Sequence, residues 1–169
     1  YIRTDFVRED TPMRKKETEY QYQGRLGVGV DVDNNFVIPT GVFKRQPMLL
    51  MFEKEFEHVE GINDFDKLQI PFRAVATNIK NGQAVVLDSG SLAKSVYASS
   101  SIPGGFQPIK IDGLDLVDGG VSDNLPVELA RDMGADIIIA VDVSESFEEE
   151  IDVNSYFVVL GQMVAIIMR

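Results

Sequence analysis

Cysteine is absent from the 169 residues, which excludes a disulfide framework and any cysteine-based zinc site while leaving the compartment open. Histidine occurs once, at His58, so any chemistry that needs an imidazole rests on that residue. Basic residues are scarce: 16 Lys and Arg against 27 Asp and Glu give a formal charge of −11, which argues against a phosphate backbone as partner. Nucleic acid is therefore not an expected ligand. No run approaches the roughly 20 apolar residues of a membrane-spanning helix. The start at Tyr1 resembles neither an initiator methionine nor a signal peptide.

What is present is ordinary globular material, 44% hydrophobic and 25% charged, sufficient for one α/β domain with a sizeable core. We expect a single domain over 1–169, cut from a longer chain at both ends. The apolar stretch from Tyr156-Phe157-Val158-Val159-Leu160 to Ile166-Ile167-Met168 does not suit a solvated tail and lacks a helix terminator. A homo-oligomer that pairs through this helix is one expected consequence. Residues 1–23 are polar and mixed in charge, with Arg14-Lys15-Lys16 read as solvated surface and the segment as peripheral, at most an edge strand.

From Leu26, the apolar positions Leu26, Val28, Val30 and Val32 alternate with Gly27, Gly29, Asp31 and Asp33, the period of a half-buried strand. Asn34-Asn35 turns it into Phe36-Val37-Ile38. The glycines Gly24, Gly27 and Gly29 are spaced wrongly for a dinucleotide fingerprint and do not open a helix. Residues 41–59 read as a helix whose face of Met48, Leu49, Met51, Phe52 and Phe56 is assigned to core packing rather than to a lipid surface. Phe72–Thr77 and Ala84–Leu87 read as antiparallel strands joined by Asn81-Gly82. Ser91 caps a short helix reaching Ser101, stopped by Pro103 and Gly104-Gly105.

Asp112-Gly113 predicts a two-residue hairpin, which sets Ile111 against Leu114, Lys110 against Asp115 and Ile109 against Leu116. The same count places Asp118 on the apolar side, at the carboxyl end of its strand. After Gly119-Gly120, Asp123 or Asn124 is expected to cap a helix with Pro126 in its first turn and Gly134 as its stop. Ile137-Ile138-Ile139-Ala140-Val141 then reads as a buried parallel strand, completing a βαβ unit. A buried carboxylate needs a hydrogen-bonding partner or a chemical role. Position and period alone leave two readings of Asp118 open, a cap for the glycine turn or a site residue beside a backbone that a substrate can approach.

The wording of the sequence adds to this. Ala98-Ser99-Ser100-Ser101-Ile102-Pro103-Gly104-Gly105-Phe106, Leu116-Val117-Asp118-Gly119-Gly120-Val121-Ser122-Asp123-Asn124-Leu125-Pro126 and Gly134-Ala135-Asp136 resemble bacterial patatin-like phospholipases, closely over about 72–145 and loosely over 24–60. The resemblance implies a three-layer α/β sandwich with a mixed central sheet, the patatin-type variant of the α/β hydrolase architecture. It implies lipid acyl hydrolysis of the phospholipase A type by a Ser-Asp dyad, with Asp118 as catalytic base and Gly119 and Gly120 as backbone support for the motif. Neither a cofactor nor a metal is implied. The expected partners are a phospholipid or other acyl ester and a membrane surface. Similarity of the polar first segment to secreted or outer-membrane-tethered members favours a location outside the cytoplasm over a cytoplasmic one.

One departure from the family is serious. The nucleophile belongs to a G-x-S-x-G strand-to-helix elbow, and no serine here fits: Ser122 follows Gly120 by two but has Asn124 two after it. The Gly-rich oxyanion loop is missing as well, since Gly104-Gly105-Phe106-Gln107-Pro108 does not match it. Both are expected before Tyr1, and these residues alone are expected to be inactive. His58 precedes Asp118, the wrong order for a standard Ser, acid, His triad, and reads as an exposed helix-end residue among Glu55, Glu57 and Glu60. Two other classes stay in view. One is a non-catalytic lipid-binding or assembly module of the same fold. The other is a magnesium-dependent phosphoryl-transfer domain, with Asp118, Asp142 and Asp123 as oxygen ligands.

Overall fold

In the computed structural model the described residues are 29–30, 36–37, 41–43, 45–143 and 154–167. The organising element is a four-stranded antiparallel sheet in the order β5-β4-β8-β7, made of β4 (Ala74–Asn78), β5 (Ala84–Leu87), β7 (Ile109–Ile111) and β8 (Leu114–Asp118). Two local turns set its register. Asp112 and Gly113 both take positive φ, 49° and 80°, the backbone that matches the twist of paired strands. Ile109 consequently faces Leu116, Lys110 faces Asp115 and Ile111 faces Leu114. Asn81-Gly82, with Gly82 at φ 72°, joins β4 to β5 and sets Ala74 against Leu87 and Thr77 against Ala84.

The central pairing is non-local: β4 lies beside β8, with Ala76 opposite Asp118, Thr77 opposite Val117 and Asn78 opposite Leu116. Every residue of β4 is buried, as befits an inner strand covered on both faces. Side chains alternate along a strand, so Ala74 and Ala76 share one face, and they join Leu87, Ile109 and Leu116 in the core. Helix α2 (Leu92–Ser99) covers that face and supplies Tyr97 and Ala98 to the core. Ser91 accepts a bond from the Lys94 N–H and starts this helix. Helix α1 (Arg45–Glu55) packs on α2 through its apolar side, with Met48 buried and Leu49, Met51 and Phe52 against the core.

Smaller elements complete the architecture. Gly29–Val30 (β1) pairs antiparallel with Phe36–Val37 (β2), in agreement with the strands expected there, while the turn expected at Asn34-Asn35 lies outside the described residues. The remainder of that alternating stretch, and residues 1–23, lie outside the described residues. Gly41–Phe43 (β3) pairs in parallel with Gly104–Phe106 (β6). The helix expected over 41–59 is thus shorter: it begins at Arg45 and ends at Glu55, with Glu57–Val59 forming a 3₁₀ turn. Its first expected residues are drawn into a strand by a partner some sixty positions away, a contact that helical periodicity cannot report. Tyr156–Ile167 forms the apolar helix α4. Among the described residues no helix is long and apolar enough to cross a membrane.

Two expectations after the Asp-Gly-Gly turn need correction. The helix following it, α3, runs only from Val127 to Asp132. Pro126 occupies its N-cap position without a side-chain cap bond, so neither Asp123 nor Asn124 starts it. Gly134, at φ 87°, does end it. The segment read as a buried parallel strand, Ile137–Val141, is irregular and, apart from the half-buried Ile138, exposed, with Ile137 at 84% and Ile139 at 86% exposure. A parallel strand needs a neighbour for its ladder, and no described strand pairs with this one. The βαβ unit is therefore not formed among the described residues.

Candidate active site

Asp118 is the last residue of β8 and lies on the α2 face, in register with Ala76. Three backbone contacts define its setting. Its N–H donates to the Ser101 carbonyl at 3.0 Å, tying the strand end to the turn that follows α2. Its carboxylate Oδ1 accepts from the Gly120 N–H at 2.8 Å. Its carbonyl accepts from the Thr77 hydroxyl at 2.8 Å. The carboxylate thus caps the 3₁₀ turn Gly119–Val121 and also lines a cavity. Burial pushes its pKa above the ordinary carboxylate value, and the Gly120 N–H, which favours the charged form, opposes this in part.

The close packing of the motif explains its first glycine. Gly119 is buried, and a Cβ there would overlap the carbonyl of Val75 on β4. Only a residue without a side chain lets the turn lie flat on the inner strand. The 3₁₀ turn thereby covers the face of β4 that bears Val75 and Thr77, while Asp118 points to the other face.

The cavity has a volume of about 330 Å³. Its apolar wall is formed by Phe72, Ala74, Val75, Val96 and Pro126, and its polar groups include Arg73, Ser99, Ser100, Asp118 and Asp123. It lies against the end of α2, so Val96, Ser99 and Ser100 line it. The Ser100 hydroxyl donates to the Val96 carbonyl at 2.6 Å and is thereby engaged in its own helix. Arg73 is held by Asp66, at 2.8 Å, and donates to the Phe72 carbonyl at 2.8 Å. The Arg73 hydrogen bond holds the Asp66 carboxyl below the ordinary value.

Of the residues singled out from sequence, Asp118, Gly119 and Gly120 come together at this cavity. Ser122 lies behind the turn, its hydroxyl 2.7 Å from that of Thr77. His58 is exposed in the Glu57–Val59 turn. Asp123 lines the cavity but Asp142 does not, and among the described residues no group of three His, Asp or Glu side chains is arranged to hold a metal. The magnesium reading therefore lacks a donor set within those residues. Sequence reasoning missed Arg73 and Thr77. Thr77 had left a signal, a hydroxyl residue following the apolar run Ala74-Val75-Ala76, whereas Arg73 at a strand entrance reads as ordinary surface.

Comparison with known proteins is consistent across sources. The family model described as patatin-like phospholipase matches residues 15–131. The mouse patatin-like phospholipase domain-containing protein 7 is 35% identical over 107 residues, 62% of this chain and 8% of that protein. An NTE-family protein of Mycobacterium tuberculosis, itself uncharacterised, is 40% identical over 81 residues, 48% of this chain and 22% of that protein. Human patatin-like phospholipase domain-containing protein 6 is 35% identical over 107 residues. The matched stretch is thus a small part of each relative's length, 8% in the human protein and 22% in the mycobacterial one. With a matched model that runs through the Asp118-Gly119-Gly120 turn and an α/β fold built around that turn, the chain belongs to the patatin-like phospholipase family.

Proposed function

We propose that the protein is a lipid acyl hydrolase of the phospholipase A type and that Asp118 is the base of its Ser-Asp dyad. The observation that carries this reading is a carboxylate at a strand end, raised in pKa by burial and lining a cavity with an apolar wall. A base with a raised pKa holds an abstracted proton better than an ordinary carboxylate does. The apolar wall suits an acyl chain. Family membership supports the lipid substrate class. The serine is supplied from outside these residues, which contain no Gly-x-Ser-x-Gly.

In this mechanism the Asp118 carboxylate takes the serine hydroxyl proton as the serine oxygen bonds to the ester carbonyl carbon. Asp118 then gives that proton to the departing alcohol as the ester C–O bond breaks, leaving an acyl-serine. Water attacks the acyl-serine and passes a proton to Asp118, which returns it to the serine oxygen as the fatty acid leaves. The Gly120 N–H fixes one carboxylate oxygen throughout, so the proton-accepting group does not have to be oriented anew in each turnover.

The test is Asp118→Asn in the full-length protein, assayed on a phospholipid ester with folding checked by thermal melting. Loss of turnover by a factor on the order of 10⁴ or more is expected if the dyad acts as a unit. Retained turnover contradicts the proposal. Lipid binding without turnover in the unsubstituted full-length protein would instead support the non-catalytic module.

A further inference from the structure

Two hydroxyl groups behind the site are arranged around the backbone of the motif. Thr77 is buried, at 1% exposure, on the face of β4 that also bears Val75, and does not itself line the cavity. Its hydroxyl lies 2.8 Å from the Asp118 carbonyl and 2.7 Å from the Ser122 hydroxyl. The Ser122 hydroxyl also lies 3.3 Å from the Gly119 carbonyl. These are three contacts served by two hydroxyl protons. The shorter two are both satisfied if Thr77 donates to the Asp118 carbonyl and Ser122 donates to Thr77. The longest, to Gly119, then receives only a share of the Ser122 proton. Hydrogen bonds in such a chain polarise one another, so Ser122 strengthens the bond that Thr77 gives to Asp118.

The consequence falls on the carboxylate. With its N–H bonded to Ser101 and its carbonyl bonded to Thr77, Asp118 is restrained on both sides of its Cα. The direction of its side chain then follows from the backbone. Gly120 completes the restraint at the carboxylate itself. Thr77 follows Ala74, Val75 and Ala76 in a fully buried strand, where an unpartnered hydroxyl would be costly. A hydroxyl at this position has its bonding partners in the Asp-Gly-Gly turn.

We infer that Thr77 is a positioning residue for Asp118: its hydroxyl, backed by Ser122, holds the Asp118 carbonyl and so aims the carboxylate at the nucleophilic serine. The inference rests on the proposed dyad. It requires that loss of the hydroxyl lower the rate of acyl transfer without weakening substrate binding, because Thr77 does not line the cavity.

The experiment compares Thr77→Val, Thr77→Ser and Thr77→Ala in the full-length protein, with kcat and KM measured on a phospholipid ester and folding checked by thermal melting. Thr77→Val, close to isosteric, is expected to lower kcat by about tenfold to 10²-fold, the scale of a small misplacement of a catalytic group, with KM changed by no more than about twofold. Thr77→Ser, which keeps the hydroxyl, is expected to recover kcat to within about threefold of the unsubstituted protein. A Thr77→Val protein with kcat within about twofold of the original overturns the inference, as does a loss carried by KM alone. If the valine variant fails to fold, the serine and alanine variants decide the matter, since they differ only in the hydroxyl: equal kcat overturns the inference and a higher kcat for serine supports it. The parallel Asp118→Asn variant separates the two levels. If that variant is active, the dyad reading fails; if it is inactive while Thr77→Val is fully active, only the role of Thr77 fails.

Discussion

Gly119 lies against Val75 so closely that a Cβ on the glycine would occupy the space of the Val75 carbonyl. Since Val75 belongs to an inner strand buried on both faces, the carbonyl cannot move away without disturbing the sheet. The turn that carries Asp118 must shift instead. Gly119→Ala is therefore expected to destabilise the domain by roughly 1–3 kcal/mol, the range for overpacking a well-filled interior. Gly61, with nothing within 4 Å of its Cβ position, is the matched control, and Gly61→Ala should stay within about 0.5 kcal/mol. Denaturant unfolding of both variants measures the difference.

Protonation of Asp118 has opposite consequences for activity and for stability. In the proposed role of base it must be ionised, so kcat is expected to fall as the pH drops through its raised pKa, on a limb lying above the ordinary carboxylate value. For stability, a pKa higher in the folded than in the unfolded state means that the folded chain binds the proton more tightly between the two values. The contribution of Asp118 is then most favourable below the unfolded-state pKa and is lost as the pH rises through that window. Asp118→Asn removes the buried charge and retains an oxygen acceptor for the Gly120 N–H. It is expected to raise the thermal unfolding midpoint at neutral pH, with the gain shrinking under acid conditions. A lowered midpoint at neutral pH would contradict this assignment.

The exposed run at Ile137, Ile139, Val141 and Val143 gives a third prediction. At a position with 86% exposure, Ile139→Lys is expected to leave the unfolding free energy of the 169-residue chain within about 0.5 kcal/mol. The same change should reduce concentration-dependent self-association in sedimentation velocity, because contiguous apolar surface promotes contact. A clear loss of stability would show that the segment is packed.

The difference between what the sequence reveals and what it conceals follows contact range. The Asp112-Gly113 hairpin, its register and the inward position of Asp118 were legible because two residues with positive φ determine all three. The Ser91 cap and the Gly134 stop were legible for the same local reason. The pairing of β3 with β6 was not, since neither strand carries the imprint of the other and each is only three residues long. Nor was the environment of Ile137–Val141, whose apolar run reports a preference for burial but not whether a strand is beside it. At the site, the Asp-Gly-Gly turn was legible as a motif. The Thr77 to Ser122 contact joins residues 45 positions apart, and only the folded β4-β8 register brings them together.

The central claim is that Asp118 activates a serine lying outside these residues. The most direct measurement is labelling of the full-length protein and of its Asp118→Asn variant with a fluorophosphonate, followed by identification of the modified peptide by mass spectrometry. The account predicts one labelled serine, located outside residues 1–169 within a Gly-x-Ser-x-Gly sequence, and loss of that label in the variant. Labelling of Ser99, Ser100 or Ser122, or equal labelling of both proteins, would contradict it.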